Sequence, residues 1–380
     1  MPGPTGVGRV MTQLASEINQ KNKTGGHSTR LLYRGQGRPV RKLFSQKQLV
    51  LALKTIMTAF WSEARFRTVT AKLPRKDTSL LIHPQTLGYE WSIEFIKNSK
   101  KPVWLYLMDS SFFCIRSYNY MAHMESACTK CIGGDLTHAL NNRCSTDFGS
   151  TEGAMEFISS LKELSTRVKV RFIAQNKQQA ELAKKHFGEK ATVKIGGIWA
   201  ADWCLEEAPA PAVTPHKYDI VFHAPPLDAK GFSWALELAE VLTERRFLFP
   251  FEKPEWVTNA LPNCTFKDFR WESGLREAVT GCPLVLVPSL WSAPIEGALI
   301  KSIRLAQKTA VIRNETAYSR EIPEDVLLQL TFDVKRAAEE IEVYFANRQK
   351  ASPQAGKNFY DDFMQSNTRL LERLLRLTFD

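Results

Sequence analysis

Residues 284 to 303, LVLVPSLWSAPIEGALIKSI, hold the densest candidate chemistry in this 380-residue chain. An apolar run leads into a Pro-Ser-Leu-Trp turn, and a second proline then opens a helical stretch. A parallel strand buried on both faces reads as an unbroken apolar run. The crevice at its carboxyl end, beside a helix N-terminus, is where open α/β sheets hold phosphorylated ligands. Ser292 is placed to cap the helix and Pro294 to sit in its first turn. Glu296 follows in that turn, where an acid also favours the helix macrodipole. A second cluster carries thiols: Cys114, Cys128, Cys131 and Cys144 lie within 31 residues. The C-x-x-C pair at 128 and 131 has the spacing with which two thiolates grip one tetrahedral metal. The outer two cysteines stand singly, so the cluster reads either as a structural zinc site or as reduced thiols packing a long loop.

Elements at fixed places must carry these groups, and the pattern supplies them. Strand runs at 79–83 (SLLIH), 103–108 (VWLYLM), 168–175 and 192–197 alternate with helical stretches near 89–98, 151–165 and 178–187. That alternation predicts βαβ units and a parallel sheet, hence a Rossmann-like domain. EEAPAPAVTP, from Glu206 to Pro215, has three prolines in ten residues and reads as a semi-rigid connector. Beyond it the alternation resumes: YDIVFHA at 218–224, a helix over about 232–244, RFLFPF at 246–251, a helix from Trp271 to Val279, the 284–288 strand with its helix, and TAVIRN at 309–314. Apolar spacing over 357–377 predicts one docked amphipathic helix. The expected organisation is a basic flexible tail over 1–27, a first domain over 28–205, a linker over 206–216, a second domain over 217–355, and a C-terminal helix within 356–380. No internal repeat is visible.

The formal net charge of +11 is concentrated at one end. Residues 1–76 hold 15 Lys and Arg against 2 Glu, a net +13, which leaves the remainder at −2. A basic end suits an anionic membrane surface, an acidic glycan or nucleic acid, and no recognition module supports the last. No apolar run approaches the ~20 residues of a membrane helix, and the N-terminus lacks the apolar block of a signal peptide. The expectation is a cytoplasmic protein, peripheral to the membrane's inner face, with reduced thiols. No strand is followed by G-x-G-x-x-G, which argues against a dehydrogenase.

Two Rossmann-like halves joined by a short connector, with Lys230-Gly231 after the first strand of the second half, resemble the GT-B glycosyltransferases. The matching pieces are FHAPPLDAKGF (222–232), VPSLWSAPIEGALIKS (287–302), MDSSFFC (108–114) and FIAQNKQQAELAKKHFG (172–188). The resemblance implies α/β domains facing each other across a cleft, with a nucleotide-sugar donor against the second domain and the acceptor against the first. A metal-free site must neutralise the leaving diphosphate with cations and helix amides. Lys230 and the helix after Ser292 fit that need. His223, in a His-Ala-Pro sequence similar to that of relatives, would contact phosphate or sugar hydroxyls, or is a buried structural imidazole. Ser289 would touch phosphate and Trp291 a sugar face.

The chain also departs from the family. Pro225 stands where an arginine is usual, and Ala293 and Lys301 stand where retaining members carry two glutamates eight positions apart. Glu296 is the candidate substitute for the first. Lys301 would bind phosphate, pair with Glu296 or face solvent. Asp109 follows the 103–108 strand, where relatives often have a His-Asp pair and Met108 replaces the histidine. It would orient or deprotonate an acceptor hydroxyl, or form a turn. His123 is a weaker acid/base candidate. The implied reaction is sugar transfer to a cell-surface polysaccharide, lipopolysaccharide or related glycan, with no required cofactor. Arg34, Arg38, Arg41 and Lys42 would meet an anionic membrane. The alternative reading is a catalytically degenerate GT-B protein that binds sugar, nucleotide or a partner.

Overall fold

A computed structural model describes residues 6–23, 29, 32, 49–73, 76–122, 124–205, 216–259, 261–347 and 354–379. The proposed membrane cations Arg34, Arg38, Arg41 and Lys42, the candidate acid/base His123, and residues 206–215 of the linker lie outside the described residues.

Two parallel sheets organise the chain. In the first, β1 (Leu80–Ile82), β2 (Val103–Tyr106), β3 (Val170–Ala174) and β4 (Val193–Ile195) lie in sequence order. In the second, β5 (Ile220–Phe222), β6 (Phe247–Phe249), β7 (Cys264–Phe266), β8 (Leu284–Leu286), β9 (Thr309–Ile312) and β10 (Leu327–Leu330) are arranged β10-β9-β8-β5-β6-β7. That is the doubly wound order, and its reversal falls between β5 and β8. Ligand crevices open at the carboxyl ends of such a pair. The second domain is thus not a repeat of the first, whose sheet has no reversal.

Besides the short helical turns Pro84–Leu87 and Thr137–Asn141, the helices among the described residues are α1 (Gly6–Lys23), α2 (Leu49–Ala71), α3 (Tyr89–Asn98), α4 (Thr151–Thr166), α5 (Lys177–Phe187), α6 (Phe232–Val241), α7 (Leu275–Val279), α8 (Gly297–Leu305), α9 (Val334–Asn347), α10 (Gln354–Asn367) and α11 (Leu370–Phe379). Strand alternation assigns the two faces of the first sheet. Leu105, Leu107 and Phe172 pack with Ile96 of α3, Phe157 of α4 and Leu182 of α5. Trp104, Tyr106 and Ile173 belong to a core that includes Val10, Leu14 and Ile18 of α1 and Leu370 and Leu374 of α11. The flexible tail expected over 1–27 is therefore corrected over α1. Its Gly/Ser/Thr/Asn content masked apolar residues at 10, 14 and 18, the spacing of one helix face.

The expected single C-terminal helix is two, broken where Arg369 adopts φ 60°. The break lets the chain return to the first domain: Lys194 donates to the Leu377 carbonyl at 2.9 Å and Arg373 to Gly196 at 3.0 Å. The second sheet packs Phe222, Phe249 and Leu286 against Phe232 and Leu238 of α6 and Ile341 of α9. Its other face meets α7 and α8 through Val285, Val279 and Ile300. The edge strands β7 and β10 had no expected counterpart. They are only partly buried, as edge strands are.

Candidate functional site

The loops after β5 and β8 meet at the reversal. Gly231, at φ 75°, lies so close that a side chain there would collide with the Pro288 carbonyl. Leu290 N–H donates to Ala229 O at 2.9 Å. This tight contact buries Lys230, whose ammonium is ion-paired to Glu296 and lies 4.7 Å from the Trp291 ring centre and 5.1 Å from that of Tyr118. Helix α8 begins three residues later than the Pro294 start expected, with Glu296 in the N-cap position. Ser292 is correspondingly not its cap. Its hydroxyl lies 2.9 Å from Asn119 Nδ2, which donates to it, and 2.7 Å from Thr316 Oγ1. The Lys230 ammonium and the mouth of α8 thus share one spot. Ser289 Oγ and Trp291 Nε1 are buried there without a hydrogen-bond partner. Ser289, Pro294, Glu296 and Ser319 line a pocket whose empty volume, open mouth included, is about 240 Å³. A ligand that is to reach the Lys230 ammonium must displace Glu296 from it.

Tyr118 and Asn119, from the loop after β2, bring the first domain to this crevice. Asn119 Oδ1 accepts from Ser292 N–H at 3.0 Å and from Ser110 Oγ at 2.8 Å, and its Nδ2 also donates to Cys128 O at 3.0 Å. The Tyr118 ring packs edge-on to Trp291 at 4.7 Å. Burial, then the Glu296, Asp109 and Asp147 carboxylates, pushes its phenol up to about 12.

His223 and Lys301 occupy a neighbouring spot. His223 Nδ1 lies 2.8 Å from Ser302 Oγ, and its ring stacks on Trp271 with centroids 5.4 Å apart. Trp271 is available because the expected Trp271–Val279 helix begins only at Leu275, after Gly274 at φ 100°. Lys301 neither pairs with Glu296 nor faces solvent. Its Nζ lies 2.6 Å from Asp202 Oδ2 and 4.2 Å from the Trp271 ring centre. Asp202 also holds Arg9, which ties α1 to this corner. Burial, then Lys301, holds His223 down at about 3 from an ordinary 6.5. The unfolded chain takes up the proton first. Between those values stability is expected to fall as pH drops, by up to about 1.4 kcal/mol per pH unit from this group. Urea midpoints at about pH 7 and pH 5 should separate less in His223→Asn than in the parent, and equal separations would refute the assignment.

The first sheet presents its own pair at its carboxyl edge. Asp109, after β2, accepts from Ser111 N–H at 2.9 Å and from the Ser111 hydroxyl. Its other oxygen lies 3.3 Å from Nε2 of His83, directly after β1. His83 is buried, is in the left-handed region at φ 56°, and keeps Nδ1 unpartnered. Left-handed backbone at a non-glycine residue costs about 1–2 kcal/mol, a cost that recurs at functional sites. An Nε2–H directed at Asp109 leaves the Nδ1 lone pair free to accept a proton. Sequence reading singled out Asp109 but not His83, although SLLIH ends on it. The strand-end rule applied to β5 would have found it at β1. No sequence signal marked Tyr118, Asn119 or Asp202.

Cys128, Cys131 and Cys144 are buried in the first domain's core. Burial, with lesser contributions from the other three thiols, pushes Cys114 up to about 12, and burial likewise raises Cys131 to about 11. Among the described residues no three His, Cys, Asp or Glu side chains converge in a way that would hold a metal ion.

No protein-family model and no curated protein matches the sequence. Solved structures do. Sucrose-phosphate synthase from Thermosynechococcus elongatus matches at TM-score 0.54 and 13% identity, over 93% of this chain and 82% of that one. Anabaena Alr3699/HepE, in complex with UDP and glucose, matches at TM-score 0.54 and 11% identity, over 99% and 96%. TarM matches at TM-score 0.45 and 14% identity over 62% of this chain, which spans about half, 48%, of TarM's length. The chain has the GT-B fold of the glycosyltransferases, two Rossmann-like domains meeting across a cleft.

Proposed function

We propose that the protein transfers a sugar from a nucleotide-sugar donor to a hydroxyl of a cell-surface polysaccharide, lipopolysaccharide or related glycan, without a required metal. The observation that carries this reading is the burial of the Lys230 ammonium at the mouth of α8, where the second sheet reverses. A cation and helix amides at that point suit a diphosphate. HepE, alike over nearly its whole length, holds UDP and glucose. In the proposed reaction the acceptor oxygen bonds to the anomeric carbon while the bond from that carbon to the phosphate oxygen breaks. The leaving diphosphate takes the electron pair, against Lys230, with Ser289 as a further donor. The acceptor's proton passes to His83 Nδ1, which Asp109 orients through Nε2. Trp291 flanks the sugar. His223 and Lys301 line the nucleotide side, with Trp271 between them.

Thermal stabilisation by UDP, GDP, ADP, CMP and their sugar conjugates tests the donor class. A true donor at 100 times its dissociation constant should add about 2.7 kcal/mol. A flat response across the panel would sink the donor assignment. Stabilisation without release or transfer of sugar would favour the degenerate, binding-only reading, to which Pro225, Ala293 and Lys301 lend support.

A further inference from the structure

We infer that α2 is a membrane-seating helix that lays its apolar face into an anionic lipid bilayer. Apolar residues occur on two sides of this helix, and the body of the protein uses one. Phe66 is buried, its ring 5.1 Å from that of Trp91 on α3, and Thr70 is buried one turn later. The N-terminal half carries a second stripe: Leu49, Val50, Leu53, Ile56, Met57, Phe60 and Trp61. All seven are exposed, with Val50 at 83%, Phe60 at 69% and Trp61 at 68%. At 3.6 residues per turn they fall within about 140° of the circumference. A helix apolar on both sides is stable in water only when both are covered, and a contiguous exposed patch of this kind marks an interaction surface.

Charge selects the occupant. Lys54 and Arg65 border the stripe, and Glu63, the one acid of the helix, accepts from Arg67 at 2.9 Å. The 28 residues from Lys21 to Gln48, which lead into the helix, contain eight Lys and Arg, with Arg34, Arg38, Arg41 and Lys42 among them, and no Asp or Glu. Two copies of this chain joined face to face would bring the Lys54 and Arg65 cations of each towards those of the other. An anionic headgroup layer neutralises them while its acyl boundary takes the stripe, and phenylalanine and tryptophan favour that depth. Among the described residues no helix is long and apolar enough to cross a bilayer, so α2 would lie in the interface. Its anchorage on α3 places the lipid surface beside the first domain, which bears His83 and Asp109.

Co-sedimentation of the full chain with vesicles of phosphatidylcholine and phosphatidylglycerol, and with phosphatidylcholine alone, tests this without any turnover, so its outcome is independent of the sugar-transfer reading. The chain should bind the anionic vesicles and release from them as salt rises. Phe60→Gln/Trp61→Gln, at two exposed positions, should keep the parent's circular-dichroism spectrum and weaken binding by about tenfold or more. Neutralising Arg34, Arg38, Arg41 and Lys42 together should weaken it as well. Undiminished binding by the double variant would overturn the inference, and so would absence of binding by the parent at low salt. A concentration-dependent dimer in sedimentation velocity that the double variant abolishes would assign the face to a second copy instead.

Discussion

Lys230→Ala is expected to lower turnover by about 100- to 1,000-fold, the usual loss when one preorganised charge at a developing anion is removed. It should also destabilise the protein, because the partly buried Glu296 carboxylate is left without its cation. Breaking such a pair from one side costs about 3–5 kcal/mol. The two consequences separate in a double variant. Lys230→Met/Glu296→Gln removes both charges at similar volume, so it should recover most of the stability and none of the turnover. Glu296→Gln alone leaves the ammonium unneutralised, and nucleoside diphosphate should then bind more tightly than to the parent, since no carboxylate has to be displaced. Parent-like sugar transfer by the Lys230→Met/Glu296→Gln protein would remove Lys230 from the mechanism.

The donor side of this arrangement was legible because it depends on local order: an apolar strand, a proline turn and a helix entry, preceded by a strand ending at Lys230-Gly231. What the sequence misplaced was the helix entry itself. Ser292 and Pro294 look like a cap and a first turn, but Asn119 claims Ser292 through two hydrogen bonds, and the chain is not helical until after Glu296. A partner 173 residues away leaves no trace in local spacing. Lys301 was uncertain for the same reason, since Asp202, which fixes it, lies beyond the linker. Helix α1 differs: its apolar residues at 10, 14 and 18 keep a helical spacing, but they are few among Gly, Ser, Thr, Asn and Lys.

These long-range contacts also explain how one chain holds two domains around a cleft. Asn119 and Tyr118 reach from the first domain to the loop after β8, and α1 reaches Asp202 while packing against α11. The crevice is therefore closed by polar and aromatic groups, with Lys230, Trp291 and Tyr118 in mutual contact. Entry of a nucleotide sugar must exchange these contacts for new ones to diphosphate and sugar, and Ser289 Oγ and Trp291 Nε1 are unpartnered donors already present for that exchange.

On the opposite wall, His83→Asn is expected to abolish most of the sugar transfer while leaving the fold intact. Asparagine accepts the left-handed backbone at position 83 better than most residues, and its amide can still donate to Asp109. It has no titratable nitrogen, so the loss should be that of a general base, about 100- to 10,000-fold in kcat. The effect should fall on kcat rather than on donor KM, because His83 belongs to the acceptor side. Asp109→Asn should retain part of the rate, since it removes only the group that fixes the imidazole tautomer. Equal kcat values in parent and His83→Asn would show that the acceptor proton leaves by another route.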